Sequence, residues 1–402
     1  MPGKRKIAHL TDSLRSKFRD CFKTKGAMGT THAGVSAGSV ASSEGSRHRP
    51  VTFAHIGAGK CGSSAIQTHF SKHPEMNYLA GGILTYGALT SQGLLCGSAI
   101  RKKLNHSISG YVSSASNAQI TKWNQKTYKK NIGQMARCPN DLFLSCEGWL
   151  SLFRTQSGID RIMPLLSGGG RREVRLAAFV RPPVKWINSA WWQWGAWEKG
   201  VDFETWLKGA IRACDWSSLL RNIPAETELI VRPVLGDVVG QMCDIIGCEM
   251  PQASAQISNK SLSAEFLSLF LQFRDLRPSP HAAVSDFLAT RAVAQSEFSY
   301  RGTPWVLSPE HIDLIIERTR ETNLELLGFM DASDRTRIEN DAAWWAADAY
   351  AGMTFSPPLG PLILPEESLA NLGADIFRSY RHSMKVLARH GLLSELEEEI
   401  RK

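Results

Sequence analysis

The chain is 402 residues long, 43% hydrophobic and 21% charged, with a formal net charge of +9. This is the make-up of a folded globular protein and excludes a disordered or collagen-like chain; the length suits one large α/β domain with insertions, or two to three smaller domains. The positive balance points to an anionic partner, but nucleic acid, acidic lipid, a phosphorylated nucleotide and an acidic glycan all satisfy it.

The eight cysteines contain no C-x-x-C pair and no Cys/His spacing of a zinc site. Several lie in apolar runs, as Cys146 does in Leu-Phe-Leu-Ser-Cys, where a thiol acts as a small hydrophobe. A reducing compartment is the simpler expectation. No apolar run reaches the ~20 residues of a membrane-spanning helix. The basic N-terminus is not followed by the apolar stretch of a secretory signal, so a cytoplasmic protein is expected.

Residues 1–27 read as a basic amphipathic helix, with Ile7, Leu10, Leu14 and Phe18 at helical spacing. Either it touches a membrane surface or a partner, or it packs on the domain or stays mobile. Residues 28–49 are rich in Gly, Ser and Ala and read as a linker. Order begins at Val51, where Val-Thr-Phe-Ala-His-Ile is the short apolar run of a buried strand. A helical pattern follows from Ser63 to His73, closed by Pro74. Further strands are expected at Leu142–Cys146, Val174–Val180 and Leu229–Val231, and helices at Val184–Trp197 and Val238–Ile246. The alternation predicts an α/β fold with a central parallel sheet flanked by helices. Past residue 260 the pattern is helical, as at Ala264–Arg274, Pro309–Leu327 and Ser379–Lys402, with a Pro/Gly-rich turn at Ser356–Pro365.

Between the first strand and helix lies Gly57-Ala-Gly-Lys-Cys-Gly-Ser-Ser64. Such a turn aims backbone N–H groups and a helix N-terminus at an anion. Gly57, Gly59 and Gly62 match G-x-G-x-x-G, yet a dinucleotide fold also wants an acidic residue about 20 positions on. The chain has no carboxylate between Glu75 and Asp141. A Walker A loop is excluded by Ser63, which stands where its lysine belongs.

His55-Ile-Gly-Ala-Gly-Lys-Cys-Gly-Ser-Ser-Ala-Ile-Gln67 resembles the 5′-phosphosulfate loop of the PAPS-dependent sulfotransferase family, in which K-x-G-[ST]-[ST] follows strand one. It is most similar to the carbohydrate-type branch, although Ala58 and Gly59 stand as an insertion before the lysine. Val180-Arg-Pro-Pro-Val-Lys-Trp-Ile-Asn-Ser189 is similar to the family's 3′-phosphate motif, with Arg181 and Ser189 at the family's spacing and Pro182 in place of its aspartate. Thr227–Val234 with Gly236-Asp-Val-Val and Asn259-Lys-Ser-Leu262 resemble its later segments. The similarity spans residues 50–330, and 331–402 is expected as a helical extension packed on that domain.

The resemblance implies a P-loop-like sulfotransferase fold and transfer of a sulfuryl group from PAPS (3′-phosphoadenosine 5′-phosphosulfate) to an acceptor hydroxyl, releasing 3′,5′-ADP. It implies donor binding by Gly59, Lys60, Cys61, Gly62, Ser63, Ser64, Arg181, Ser189 and Lys260. Lys60 would stabilise the leaving phosphate, and no metal is needed where a lysine supplies the charge. Glu147, at the C-terminal end of a buried strand, is the first candidate base, with His55 the second. A carbohydrate acceptor is expected; a small molecule, a lipid, a tyrosine, or a scaffold without catalysis stay open, although retention of Lys60, Ser63, Arg181 and Ser189 disfavours the scaffold. The stretch from Met76 to Asn140 has no Asp or Glu and either recruits an anionic glycan or is a solvated basic face. Phosphate motifs account for part of the net charge, so no nucleic-acid partner is expected. The five tryptophans between Trp186 and Trp197 read as core packing or as a sugar-stacking surface.

Overall fold

The computed structural model describes residues 49–389, apart from 108, 199, 251–261, 281, 297 and 357–364. The amphipathic pattern at 1–27, nearly all of the 28–49 linker, Lys260, most of the Ser356–Pro365 turn and the chain past 389 lie outside the described residues. From Arg49 onward the described residues form one compact unit.

The strands are β1 Val51–His55, β2 Glu75–Asn77, β3 Ile83–Thr90, β4 Gly93–Cys96, β5 Asp141–Ser145, β6 Glu173–Val180 and β7 Glu228–Pro233. They build one sheet in the order β2-β3-β5-β1-β6-β7, with β4 also paired to β3. β3, β5, β1, β6 and β7 run parallel, whereas β2 and β4 join β3 antiparallel. The protein is thus α/β with a mostly parallel sheet, and the purely parallel expectation is corrected at one edge. The reason is local: β3 and β4 are joined by a tight turn in which Gly93 takes φ 111 and the Thr90 hydroxyl donates to the Gly93 carbonyl, and so short a connection can only reverse the chain.

Helices follow as α1 Ser63–Lys72, α2 Ser98–Leu104, α3 Asn117–Thr121, α4 Gln125–Arg137, α5 Gln156–Leu166, α6 Pro183–Gln193, α7 Phe203–Ala213, α8 Trp216–Leu220, α9 Val238–Ile246, α10 Ala264–Gln272, α11 Ala283–Gln295, α12 Pro309–Leu326, α13 Ala332–Asn340 and α14 Glu366–Arg389. The last begins well before the expected Ser379, directly after Pro365, with Glu366 and Glu367 complementing the dipole of its first turn. α6 stops at Gln193, and a separate 3-10 turn, Gly195–Trp197, carries the rest of the expected helix. The stretch from 76 to 140 supplies β2–β4 and α2–α4. Its Arg101, Lys102, Lys103, Lys122, Lys126, Lys129, Lys130 and Arg137 are all exposed.

β1 lies at the centre of the sheet and is covered on both faces, with all five residues buried. Phe70 of α1 packs on Phe143 of β5 at 4.4 Å between ring centroids, and Tyr86 closes the cluster at 5.6 Å from Phe143. At the N-terminal ends of the strands the buried Arg172 guanidinium donates to Thr52 Oγ1 and to the carbonyls of Val51, Cys138 and Asn140, at 2.7–2.8 Å. Those four bonds tie the starts of β1, β5 and β6 together and satisfy a charge that burial would otherwise penalise. The chain visits β3 and β5 on one side of β1, then crosses to β6 and β7 on the other. The order therefore reverses at β1, and the crevice beyond the C-terminal ends of β5, β1 and β6 is where open α/β sheets bind ligands.

Candidate functional site

The register places His55 of β1 beside Ser145 of β5 and Ala177 of β6. The three chain segments that leave these strands thus emerge together: Gly57–Ser64, Glu147 and Arg181. In the loop Gly57 has φ 34, Lys60 φ 67 and Gly62 φ 91. Lys60 is the positive-φ non-glycine among the described residues, a conformation an L side chain adopts at a cost. Each glycine sits against a neighbour: a Cβ on Gly59 would come within 2.9 Å of Trp194, and one on Gly62 within 2.6 Å of Val238. The left-handed Gly62 starts α1 without a side-chain cap. No described group accepts from the amides of Gly62, Ser63 and Ser64, so these donors face the space over the helix N-terminus.

Arg181 closes the other side. Its Nη1 donates to the Lys60 carbonyl at 3.0 Å, and five residues on, in α6, Trp186 Nε1 donates to the Gly59 carbonyl at 2.7 Å. The two phosphate motifs read from the sequence therefore meet in one wall. Ser189, further along α6, is half-buried, and no described group bonds its hydroxyl.

Lys60 is half-buried, and burial lowers its proton affinity; the charges of Arg181 and Arg277 act in the same direction, those of Glu147 and Asp286 against it. Glu147 is half-buried and makes no hydrogen bond or ion pair with any described residue. Tyr111 lies beside the Ser64 side chain; burial and the Glu147 and Asp286 charges keep its hydroxyl protonated. Ser63 Oγ is buried without a partner among the described residues. Cys61 differs: its amide returns to the Ala58 carbonyl at 3.2 Å, and burial pushes its thiol up to about 12. Its buried side chain anchors the loop to the core.

His55 is fully buried under the loop. Its Nδ1 is 2.9 Å from Ser145 Oγ, which also accepts from Gln67 Nε2 at 3.3 Å. Burial lowers the imidazole to about 4, so it is neutral at pH 7. The ring lies so close beneath Gly57 that a Cβ there would be 2.7 Å from Nε2. Trp186, Trp191, Trp192 and Trp197 are buried, in edge contacts such as Trp191–Phe203 at 4.9 Å, so this cluster is core. Trp194 is half-buried against the loop.

Lys60, Glu147 and Arg181, each expected from the segment that follows a strand, all lie at this edge of the sheet. Tyr111, the bond from Trp186 to the loop, and the charges of Arg277 and Asp286 that act on Lys60 arise only through folding and were not legible in the sequence. The sole signal near Arg277 was its rigid context, Arg277-Pro-Ser-Pro280. A separate polar hollow of about 340 Å³, lined by Arg154, Arg212, Asp215, Ser218, Arg221 and Asn222, shares no residue with this site. Among the described residues no helix is long and apolar enough to cross a membrane. No protein-family model matches the chain, and no curated protein matches it.

Proposed function

We propose that this chain is a PAPS-dependent sulfotransferase with a P-loop-like sulfotransferase fold, acting on an acceptor hydroxyl carried by a carbohydrate. The observation that carries the reading is the 3.0 Å bond from Arg181 to the Lys60 carbonyl, which brings the 5′-phosphosulfate-like loop and the 3′-phosphate-like motif to one site. The local chemistry suits the donor. Three unpartnered amides, an orphaned Ser63 hydroxyl and a lysine surround a cradle whose glycines leave room for little else. When bound, PAPS supplies the activated sulfuryl group.

Each residue then has a task. Lys60 and the amides of Gly62, Ser63 and Ser64 face the 5′-phosphate and take up the charge that grows on it as the S–O bond breaks. Arg181 uses one N–H on the loop and keeps others for the 3′-phosphate, with the Ser189 hydroxyl as a further donor. Glu147, without a competing partner among the described residues, takes the acceptor proton as the new O–S bond forms. His55 serves as a neutral support beneath Gly57, because its imidazole is fully buried and held at Ser145. Trp186 and Cys61 fix the loop path.

Calorimetry with 3′,5′-ADP, NAD and ATP tests the reading. Micromolar binding of 3′,5′-ADP, with the other two weaker, is expected. Binding of NAD or ATP in place of 3′,5′-ADP would overturn it. A radiolabelled-PAPS screen over glycans, phenols and lipids then identifies the acceptor.

A further inference from the structure

Arg277 is 1% exposed, and most of its guanidinium is accounted for. Nε donates to Asp286 Oδ1 at 2.8 Å, Nη2 donates to the Pro280 carbonyl at 2.9 Å, and the plane lies 4.3 Å from the centre of the Trp197 ring. Nη1 is buried with no partner among the described residues. A charged donor left unmet inside a protein is costly, and such a group favours an anionic partner.

The surroundings hold this group rigidly against the loop. Trp197 Nε1 donates to the Trp192 carbonyl at 2.9 Å, and Gln193 Nε2 donates to the Pro280 carbonyl at 2.6 Å, which fastens the Arg277 turn to the end of α6. Trp194, between those two anchors, touches Gly59, the neighbour of Lys60. Lys60 senses the charges of both Arg277 and Asp286. Arg277, through Trp197 and the end of α6, and Lys60, through Gly59 and Trp194, thus pack on the same turn, with one carboxylate already bound to Arg277. An oxyanion between them would relieve their repulsion and meet Nη1.

We propose that Arg277 Nη1 donates to the sulfuryl oxygens of the donor, so that the transferred group lies between Lys60 and Arg277. This rests on the sulfotransferase reading. In that reading the 5′-phosphate is met by the loop and the 3′-phosphate by Arg181 and Ser189, which leaves the sulfuryl group as the oxyanion without a cation of its own. In the reaction the acceptor oxygen bonds to sulfur, the bond from sulfur to the 5′-phosphate oxygen breaks with its electron pair staying on that oxygen, and the acceptor proton passes to Glu147. Arg277 balances the charge spread over the three sulfuryl oxygens through the transfer, a task separate from that of Lys60 on the leaving oxygen.

The contact is read by comparing PAPS, which carries the sulfuryl group, with 3′,5′-ADP, which lacks it. In calorimetry on the full chain, Arg277→Gln is expected to weaken PAPS tenfold or more and leave 3′,5′-ADP within twofold, whereas Arg181→Ala weakens both. Retained 3′,5′-ADP binding also shows that the variant is folded. Arg277→Lys, which keeps a charge beside Asp286 but loses the planar fork, is read in the same way if the glutamine variant does not fold, with a selective loss of threefold or more expected. If the wild type binds both nucleotides and the variants lose both equally, or lose neither, the sulfuryl contact is overturned. An unchanged PAPS affinity with a raised KM for the acceptor alone would likewise overturn it and assign Arg277 to the acceptor. A wild type that binds neither nucleotide overturns the sulfotransferase reading itself, and this inference with it.

Discussion

The Arg181 guanidinium and the Lys60 backbone are joined by a hydrogen bond of 3.0 Å between residues 121 positions apart. This bond fixes the carbonyl of a residue held at φ 67, so the arginine helps to maintain the loop conformation that presents the Lys60 side chain. On the proposed reading it stands at once in the donor-binding wall and in the support of the lysine.

That double position predicts a compound phenotype. Arg181→Ala removes a charge-assisted bond of about 1.5–3 kcal/mol, and 3′,5′-ADP affinity is expected to fall about 10- to 100-fold. Because the loop also loses its brace, kcat at saturating donor falls as well. Arg181→Lys restores charge but not the fork and rescues neither fully. Calorimetry paired with steady-state kinetics checks this; a loss of affinity with an unchanged kcat would separate Arg181 from the loop.

Gly57 predicts a steric result. Its φ of 34 already disfavours a side chain, and a Cβ would meet His55 Nε2 at 2.7 Å and Ser63 Oγ at 3.2 Å. Gly57→Ala is expected to lower stability by at least about 1–2 kcal/mol from the left-handed backbone alone and to weaken 3′,5′-ADP binding by displacing Ser63. Adding His55→Ala opens the space below and recovers part of the stability. No recovery in the urea unfolding of the double variant would show that the clash is not with the imidazole.

The sheet and its loop were legible in the sequence for one physical reason. β1, β5, β6 and β7 are short apolar runs that end abruptly in Gly, Glu-Gly or Arg-Pro, and in a parallel sheet those endings all emerge on one edge. Lys60, Glu147 and Arg181 could therefore be placed together before any contact was known. The β3–β4 hairpin was not legible: Gly87 interrupts the run at Ile83–Thr90, and its place is set by close packing, a Cβ there lying 3.0 Å from Leu144 of the neighbouring strand. The Arg277–Trp197–Trp194–Gly59 succession is a product of tertiary packing, and no local pattern encodes it.

The buried imidazoles set a stability profile. His55 falls from an ordinary 6.5 to about 4 through burial, and His69 also falls to about 4, through burial first and the neighbouring His73 second. Below pH 6.5 the unfolded chain binds protons that the native state refuses, so stability is full above 6.5 and declines as pH falls toward 4. For His55 the loss is on the order of 3 kcal/mol by pH 4. Urea midpoints measured between pH 7.5 and 4 should follow this slope. His55→Gln should remove about half of it, and a variant that keeps the whole slope would show that His55 is not the group responsible.

If the chain is the proposed sulfotransferase, Lys60 sets the alkaline limit of its activity. Burial, then the Arg181 and Arg277 charges, hold its proton affinity below that of a free lysine, while Glu147 and Asp286 oppose the shift. The ammonium form is the one that balances charge on the leaving phosphate, so activity is lost as pH rises through this lowered pKa. In the profile of kcat/KM for the donor, which reports the free enzyme, the limb is expected below the ordinary lysine range. In kcat it should lie higher, because a bound anion restores proton affinity. Lys60→Arg keeps a charge through the accessible range and should abolish the limb while lowering kcat, since an ammonium and a guanidinium do not present donors alike. Lys60→Ala should lower kcat by about 10²–10³, the scale seen when one preorganised donor to developing charge is removed. An alkaline limb that persists unchanged in Lys60→Arg would assign that ionisation to another group and take Lys60 out of the role of charge donor.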